Sequence, residues 1–166
     1  KLRESLRVEL KNIQTNLNAT ILYVTHDQAE ATTLADKIGV LKEGHLVQIG
    51  TPEEIYENPN SIYVSQRLGS PKINILSGNL FGMNDVHTFG IRPENITIGT
   101  GNYSAKIISI ENLGSETVVA LNFKDQEILV SIQGNYKSSI NETINFDINN
   151  KKVLKFDKEG NRIYER

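Results

Sequence analysis

Thr25-His26-Asp27 is the point of the 166-residue chain where residue type and spacing could do chemistry. The triplet follows the apolar run Ile21-Leu22-Tyr23-Val24 and opens Asp27-Gln28-Ala29-Glu30, an acceptor at a helix cap with a Glu three residues later. A short β-rich run without alternation reads as a strand covered on both faces in a parallel sheet. Ligands collect outside the carboxyl ends of such strands, and a helix N-terminus there offers N–H groups and a positive dipole end to a phosphate. An imidazole at that place can hydrogen-bond a phosphate oxygen or orient an attacking water. The plainer alternative makes Asp27 a helix cap and His26 a loop residue, and a lone histidine weighs toward it.

The other polar residues carry less. His45 and His87 share no metal-ligand spacing with His26 and read as a turn residue and a strand-edge residue. Arg92 and Glu94 read as an exposed ion pair or as turn contacts, worth about 0–1 kcal/mol. With no Cys there is no thiol nucleophile and no Cys-ligated metal, and no G-x-S-x-G elbow supports a serine hydrolase. A phosphate-cradling loop needs a Gly-Lys pair, which occurs nowhere. Eighteen Lys+Arg against 20 Asp+Glu, net charge −2, argue against a nucleic-acid footprint. The longest apolar runs are far shorter than the roughly 20 residues of a membrane span. The chain opens at Lys1 and has its one Met at position 83, which reads as a fragment of something longer.

The elements that must position these residues follow from periodicity. Leu2, Leu6, Leu10, Ile13 and Leu17 recur at steps of three and four, predicting an amphipathic helix that ends by Asn18. A second helix is expected from Gln28 to Lys37, with Ala31, Leu34, Ala35 and Ile38 on its buried stripe. Val40-Leu41 and Leu46–Ile49 flank Lys42-Glu43-Gly44-His45, a hairpin with Gly44 in the left-handed position. Thr51-Pro52-Glu53-Glu54 starts a helix that ends before Pro59, and Ser61 to Leu68 forms one more, stopping at Gly69. Beyond Ser70-Pro71 the pattern changes to short alternating strands, placing a domain boundary between residues 70 and 71. Strands are expected at Leu76–Phe81, His87–Ile91, Ile96–Ile98, Ser104–Asn112, Glu116–Asn122, Gln126–Ile132, Thr143–Ile148 and Val153–Phe156. The expected fold is thus an α/β fragment (1–70) followed by a small all-β barrel (71–166).

The run from Thr25 to Ile38 resembles the switch-histidine segment of ATP-binding cassette (ABC) importer ATPases. Gly44 to Tyr56, Asn58-Pro59 and Gly69-Ser70-Pro71-Lys72-Ile73-Asn74 are similar to that family's downstream segments, in the same order. The likeness is greatest to the sugar-importing branch (maltose and multiple-sugar type), whose ATPase subunits carry a regulatory barrel of the transport-associated OB (TOBE) type. Phe89-Gly90-Ile91-Arg92-Pro93-Glu94-Asn95-Ile96 resembles the opening motif of that barrel. Leu113-Gly114-Ser115-Glu116, Phe156-Asp157 and Gly160-Asn161-Arg162-Ile163 are similar to its later landmarks. Thr32, Arg67 and Ile73 depart from the residues usual in the family, at packing or coupling positions.

The resemblance implies that His26 is the catalytic-site switch histidine, hydrogen-bonding the γ-phosphate of ATP and holding the attacking water and the catalytic carboxylate in register. It implies ATP and Mg2+ as cofactors of the intact subunit and none for these residues alone. The phosphate loop, the signature loop and the catalytic glutamate precede this stretch in the family. Leu76-Ser77-Gly78-Asn79 is no signature loop, because it follows His26 and has Asn79 for the second glycine. By itself the chain is expected not to hydrolyse ATP. The implied partners are a second copy of the ATPase subunit, transmembrane permease subunits and, indirectly, an extracellular solute-binding protein, with the subunit peripheral on the cytoplasmic face of the membrane. The alternative is a stand-alone OB-like module that binds a ligand or oligomerises, without ATPase activity; related barrels bind oxyanions. Residues 1–50 would supply only a strip of the family's wider sheet and leave the strand Ile21–Val24 without neighbours, so this piece is expected to pair with another copy or to be poorly ordered while the barrel stays folded.

Overall fold

The computed structural model describes residues 2–83 and 86–164, with side chains from Ser5 onward. The chain divides into two compact units, 1–59 and 60–166.

In the first unit the helical spacing of its leucines builds α1 (Leu2–Leu17), and α2 (Gln28–Leu34) follows after a non-helical stretch. α2 is three residues shorter than expected: Ala35 leaves helical backbone, and its N–H closes the last turn on Ala31 O. Ala31, Leu34, Ala35 and Ile38 are half-buried. β1 (Ile38–Lys42) and β2 (His45–Gly50) form the expected antiparallel hairpin. Its turn needs two positive φ angles, 50° at Glu43 and 81° at Gly44, which is where a residue without Cβ is favoured. α3 (Pro52–Glu57) begins with the expected reciprocal cap, Thr51 Oγ1 accepting from Glu54 N at 3.1 Å and Glu54 Oε2 from Thr51 N at 2.8 Å.

Ile21–Val24 corrects the sequence expectation. It lies in no sheet, and its side chains are 51%, 93%, 48% and 78% exposed in chain order. A parallel strand forms only against neighbours that take up its N–H and C=O groups, and the described residues supply none. Among the described residues of this unit the one sheet is the antiparallel hairpin.

The second unit is mostly strand. α4 (Ile62–Ser65) is a single turn capped by Ser61, shorter than the expected 61–68. A three-stranded sheet has the order β3 (Asn74–Ser77), β4 (Thr88–Ile91), β9 (Leu154–Phe156). A four-stranded sheet has the order β7 (Gln126–Gln133), β6 (Glu116–Phe123), β5 (Ile96–Asn112), β8 (Thr143–Ile148), and every pairing in both is antiparallel. Both sheets feed one core that includes Leu76, Phe89, Ile91, Ile107, Leu121 and Phe146. Phe81, Tyr103, Phe123 and Phe146 meet there at ring-centroid distances of 4.9 to 6.4 Å, mostly edge to face.

Three further details depart from expectation. The first ends at Ser77, and Gly78–Phe81 turns into a 3-10 helix that drops Phe81 into the aromatic core. Ile96–Ile98 and Ser104–Asn112 are one strand, because Ile98 and Tyr103 share the partner Phe146 while residues 99–102 bulge out between them. Arg92 is buried, at 4% exposure, instead of sitting in an exposed pair, and its Nη1 donates to Ser65 O at 3.1 Å and Leu68 O at 2.7 Å. It thereby takes up a carbonyl at the end of α4, Ser65 O, and one three residues beyond it, Leu68 O.

Candidate functional site around His26

Asp27 caps α2 with Oδ1, accepting from Glu30 N at 3.1 Å. The expected reciprocal half of that cap is not formed. Glu30 Oε2 reaches back along the chain instead, accepting from Thr25 Oγ1 at 2.6 Å and from the Tyr23 hydroxyl at 3.2 Å. Thr25 Oγ1 in turn accepts from Asp27 N at 3.0 Å. The residues on both sides of His26 are therefore tied, while the His26 side chain itself is exposed. The bond to Glu30, followed by desolvation and the negative charges of Glu30 and Asp27, holds the Tyr23 phenol above its ordinary pKa.

α1 sets the position of α2. Arg7 Nη2 lies 3.5 Å from Asp27 Oδ2, both side chains half-buried, at the start of α2. One turn later on the same face of α1, Lys11 Nζ donates to Leu34 O at 3.3 Å and to Asp36 Oδ1 at 3.0 Å, at its end. Cations at i and i+4 thus grip the two ends of a seven-residue helix.

The free helix N-terminus that the sequence suggested as an anion site is not open. Asp27 brings its own carboxylate to that end, so the dipole and the first amides already face a negative group. What remains available for an external ligand is the imidazole, a donor and acceptor on a braced turn. His45 is exposed at the start of β2, and His87 Nδ1 lies 3.1 Å from Thr88 Oγ1 beside β4. No cluster of His, Asp and Glu among the described residues could hold a metal ion, and none of their helices is long and apolar enough to cross a membrane.

Sequence reading missed the roles of Arg7, Lys11 and Glu30. The spacing of Arg7 and Lys11 was visible, but their partners lie 20 and 25 residues downstream. Glu30 was legible as a cap partner only, since a capping box and a back-bonded carboxylate share one spacing.

Comparison with known proteins extends the local geometry. The TOBE domain family matches residues 89–150. The sn-glycerol-3-phosphate import ATP-binding protein UgpC of Psychromonas ingrahamii is 33% identical over 192 aligned positions, covering 99% of this chain and 52% of the relative. The UgpC protein of Rhizobium meliloti is 37% identical over 182 positions, covering 98% and 52%. The uncharacterized ABC transporter ATP-binding protein YurJ of Bacillus subtilis is 33% identical over 195 positions, covering 96% and 53%. The chain spans about half the length of the curated relatives it matches. A mostly stranded unit with a TOBE match, preceded by a histidine turn in a stretch that aligns with ATP-binding proteins, leads to one assignment: this chain belongs to the ATP-binding subunits of ABC importers and corresponds to their C-terminal part, including the TOBE domain.

Proposed function

We propose that the chain is the C-terminal part of an ABC importer ATPase subunit that couples ATP hydrolysis to uptake of a solute, with His26 as its switch histidine. Residues 1–70 would then close the nucleotide-binding α/β domain and residues 71–166 form the OB-like regulatory domain. The observation that carries the reading is the His26 turn itself: an exposed imidazole between Thr25 and Asp27, whose side chains are bonded on either side of it. ATP with Mg2+, when bound to the intact subunit, supplies a phosphoanhydride bond whose cleavage releases free energy. Toward it this chain contributes one imidazole, suited to hold a hydrogen bond at a γ-phosphate oxygen and to keep a water in line, which is positioning and electrostatics rather than covalent chemistry. The solute is a sugar or a sugar-like phosphate ester, a reading supported by the import named for the Psychromonas and Rhizobium relatives. A second subunit, permease subunits and an extracellular solute-binding protein complete the proposed assembly, with this subunit peripheral on the cytoplasmic side.

The exposed apolar run Ile21–Val24 supports the same reading, because a buried-strand composition left outside any sheet is what one strand of a wider parallel sheet would look like. The test is MgATP hydrolysis by the chain alone and by a subunit extended upstream through a G-x-x-x-x-G-K-[ST] loop. We expect no turnover from the first and turnover from the second; equal activity in both would contradict the assignment.

A second reading, a β module that binds a small anion, is favoured by one feature of the second unit. An open cleft of about 780 Å3 there is lined by Lys151, Lys155 and Arg162 beside Tyr103, Met83 and Val153. Amide shift changes at these residues on titration with inorganic phosphate, abolished in Lys151→Ala/Lys155→Ala, would establish it, and unchanged spectra would remove it.

A further inference from the structure

We infer that Glu30 is a positioning residue for His26, acting through Thr25; this rests on the ATPase reading above. The bonding runs in a closed course around the histidine. Glu30 Oε2 accepts from Thr25 Oγ1 at 2.6 Å, Thr25 Oγ1 accepts from Asp27 N at 3.0 Å, and Asp27 Oδ1 accepts from Glu30 N at 3.1 Å. The Thr25 hydroxyl has one hydrogen, and it is spent on Glu30, so its lone pairs face the Asp27 amide. The carboxylate therefore sets the direction of that hydroxyl, and the hydroxyl sets the peptide that follows His26. Tyr23 adds a second donor to the same oxygen at 3.2 Å, which restrains Glu30 from the other side.

A side chain that places a hydrogen-bonding group acts on rate more than on binding, since a misplacement of about 1 Å can cost about a hundredfold. In the intact ATPase subunit we expect Glu30→Ala to lower kcat about ten- to a hundredfold with KM for ATP nearly unchanged. Glu30→Gln keeps an amide oxygen that can accept both hydroxyls, and should recover most of the rate. Thr25→Val should reproduce the Glu30→Ala loss, and the double variant should lose little more, because both remove one chain of bonds. In the chain itself, amide hydrogen exchange at Asp27 should speed up in Glu30→Ala and stay near wild type in Glu30→Gln. Wild-type kcat in Glu30→Ala, with His26→Ala inactive, would overturn the role of Glu30 and leave the ATPase reading standing. Equal inactivity of Glu30→Ala and Glu30→Gln in a folded subunit would overturn it too, by showing that charge matters and not the acceptor. Full activity in His26→Ala would overturn the reading beneath it. Should Glu30→Ala fail to fold, Thr25→Val and Glu30→Gln decide: the first slow and the second near wild type supports the role, and any other pattern overturns it.

Discussion

Asp157 shows how one carboxylate closes a turn. After β9 its Oδ1 accepts from Asn161 N at 2.7 Å and its Oδ2 from Asn161 Nδ2 at 3.2 Å, while Asp157 N donates to Asn161 O at 2.9 Å. The Asn161 amide, ahead of the other donors and against some desolvation, holds this carboxyl below the ordinary aspartate range. A lowered folded-state pKa stabilises the fold above the unfolded value of about 3.9, and the contribution is lost as pH falls through the folded value. We therefore expect wild type to exceed Asp157→Asn in thermal stability by a constant amount from pH 7 down to about 5, and the gap to close below about pH 4. A gap that does not narrow at all as pH falls below about 4 would contradict this assignment. Asn74, 6% exposed, illustrates what a sequence hides at this scale. Its amide donates to Ile91 O and Leu129 O and accepts from Leu129 N at 2.7 Å, tying β3 and β4 to β7 across 55 residues of chain. Nothing local distinguishes it from a loop asparagine.

The long strand β5 depends on its bulge. Gly101 has φ 127°, and a Cβ there would lie 2.3 Å from Phe146 O, so the close approach of β8 requires glycine at this position. We expect Gly101→Ala to destabilise the β unit by about 3 kcal/mol or more, read by urea denaturation, since strain and a backbone clash act together. A loss under about 1 kcal/mol would mean the bulge relaxes freely. Elements with their own local signals were legible: the Thr51–Glu54 cap, the Gly44 turn, and β6 and β7 within a residue at their ends. Elements that depend on partners were not. Ile21–Val24 has strand composition and no sheet, and the fusion of two expected strands into β5 follows from a shared partner, Phe146, that no window around residues 96–112 contains. At the candidate site the histidine and its cap were readable from spacing, whereas the grip of Arg7 and Lys11 on α2 depends on a helix packed from elsewhere in the chain.

The two units differ in how they hold themselves. Among the described residues of 60–166, seven paired strands enclose one large core and a smaller cluster of Ile73, Leu154 and Phe156. The described side chains of residues 1–59 leave Leu6, Val8, Ile13, Leu17 and the whole of Ile21–Val24 exposed, and few apolar ones are buried, Val40 and Ile55 among them. Few buried contacts mean a low local opening free energy. Limited proteolysis should accordingly cut first between residues 18 and 27 and leave a resistant fragment that begins near residue 60. A first cut inside the β unit would contradict that ordering. The chain matches about half the length of an ATP-binding relative. Thr25 and then His26 follow the exposed run Ile21–Val24. The most direct measurement is single-turnover ATP hydrolysis by the subunit extended upstream through its phosphate-binding loop, wild type against His26→Ala, with nucleotide binding followed in parallel. We expect ATP binding to change little and the hydrolysis step to slow at least about a hundredfold, as for loss of one preorganised transition-state hydrogen bond. Hydrolysis at the wild-type rate in His26→Ala would contradict the central claim.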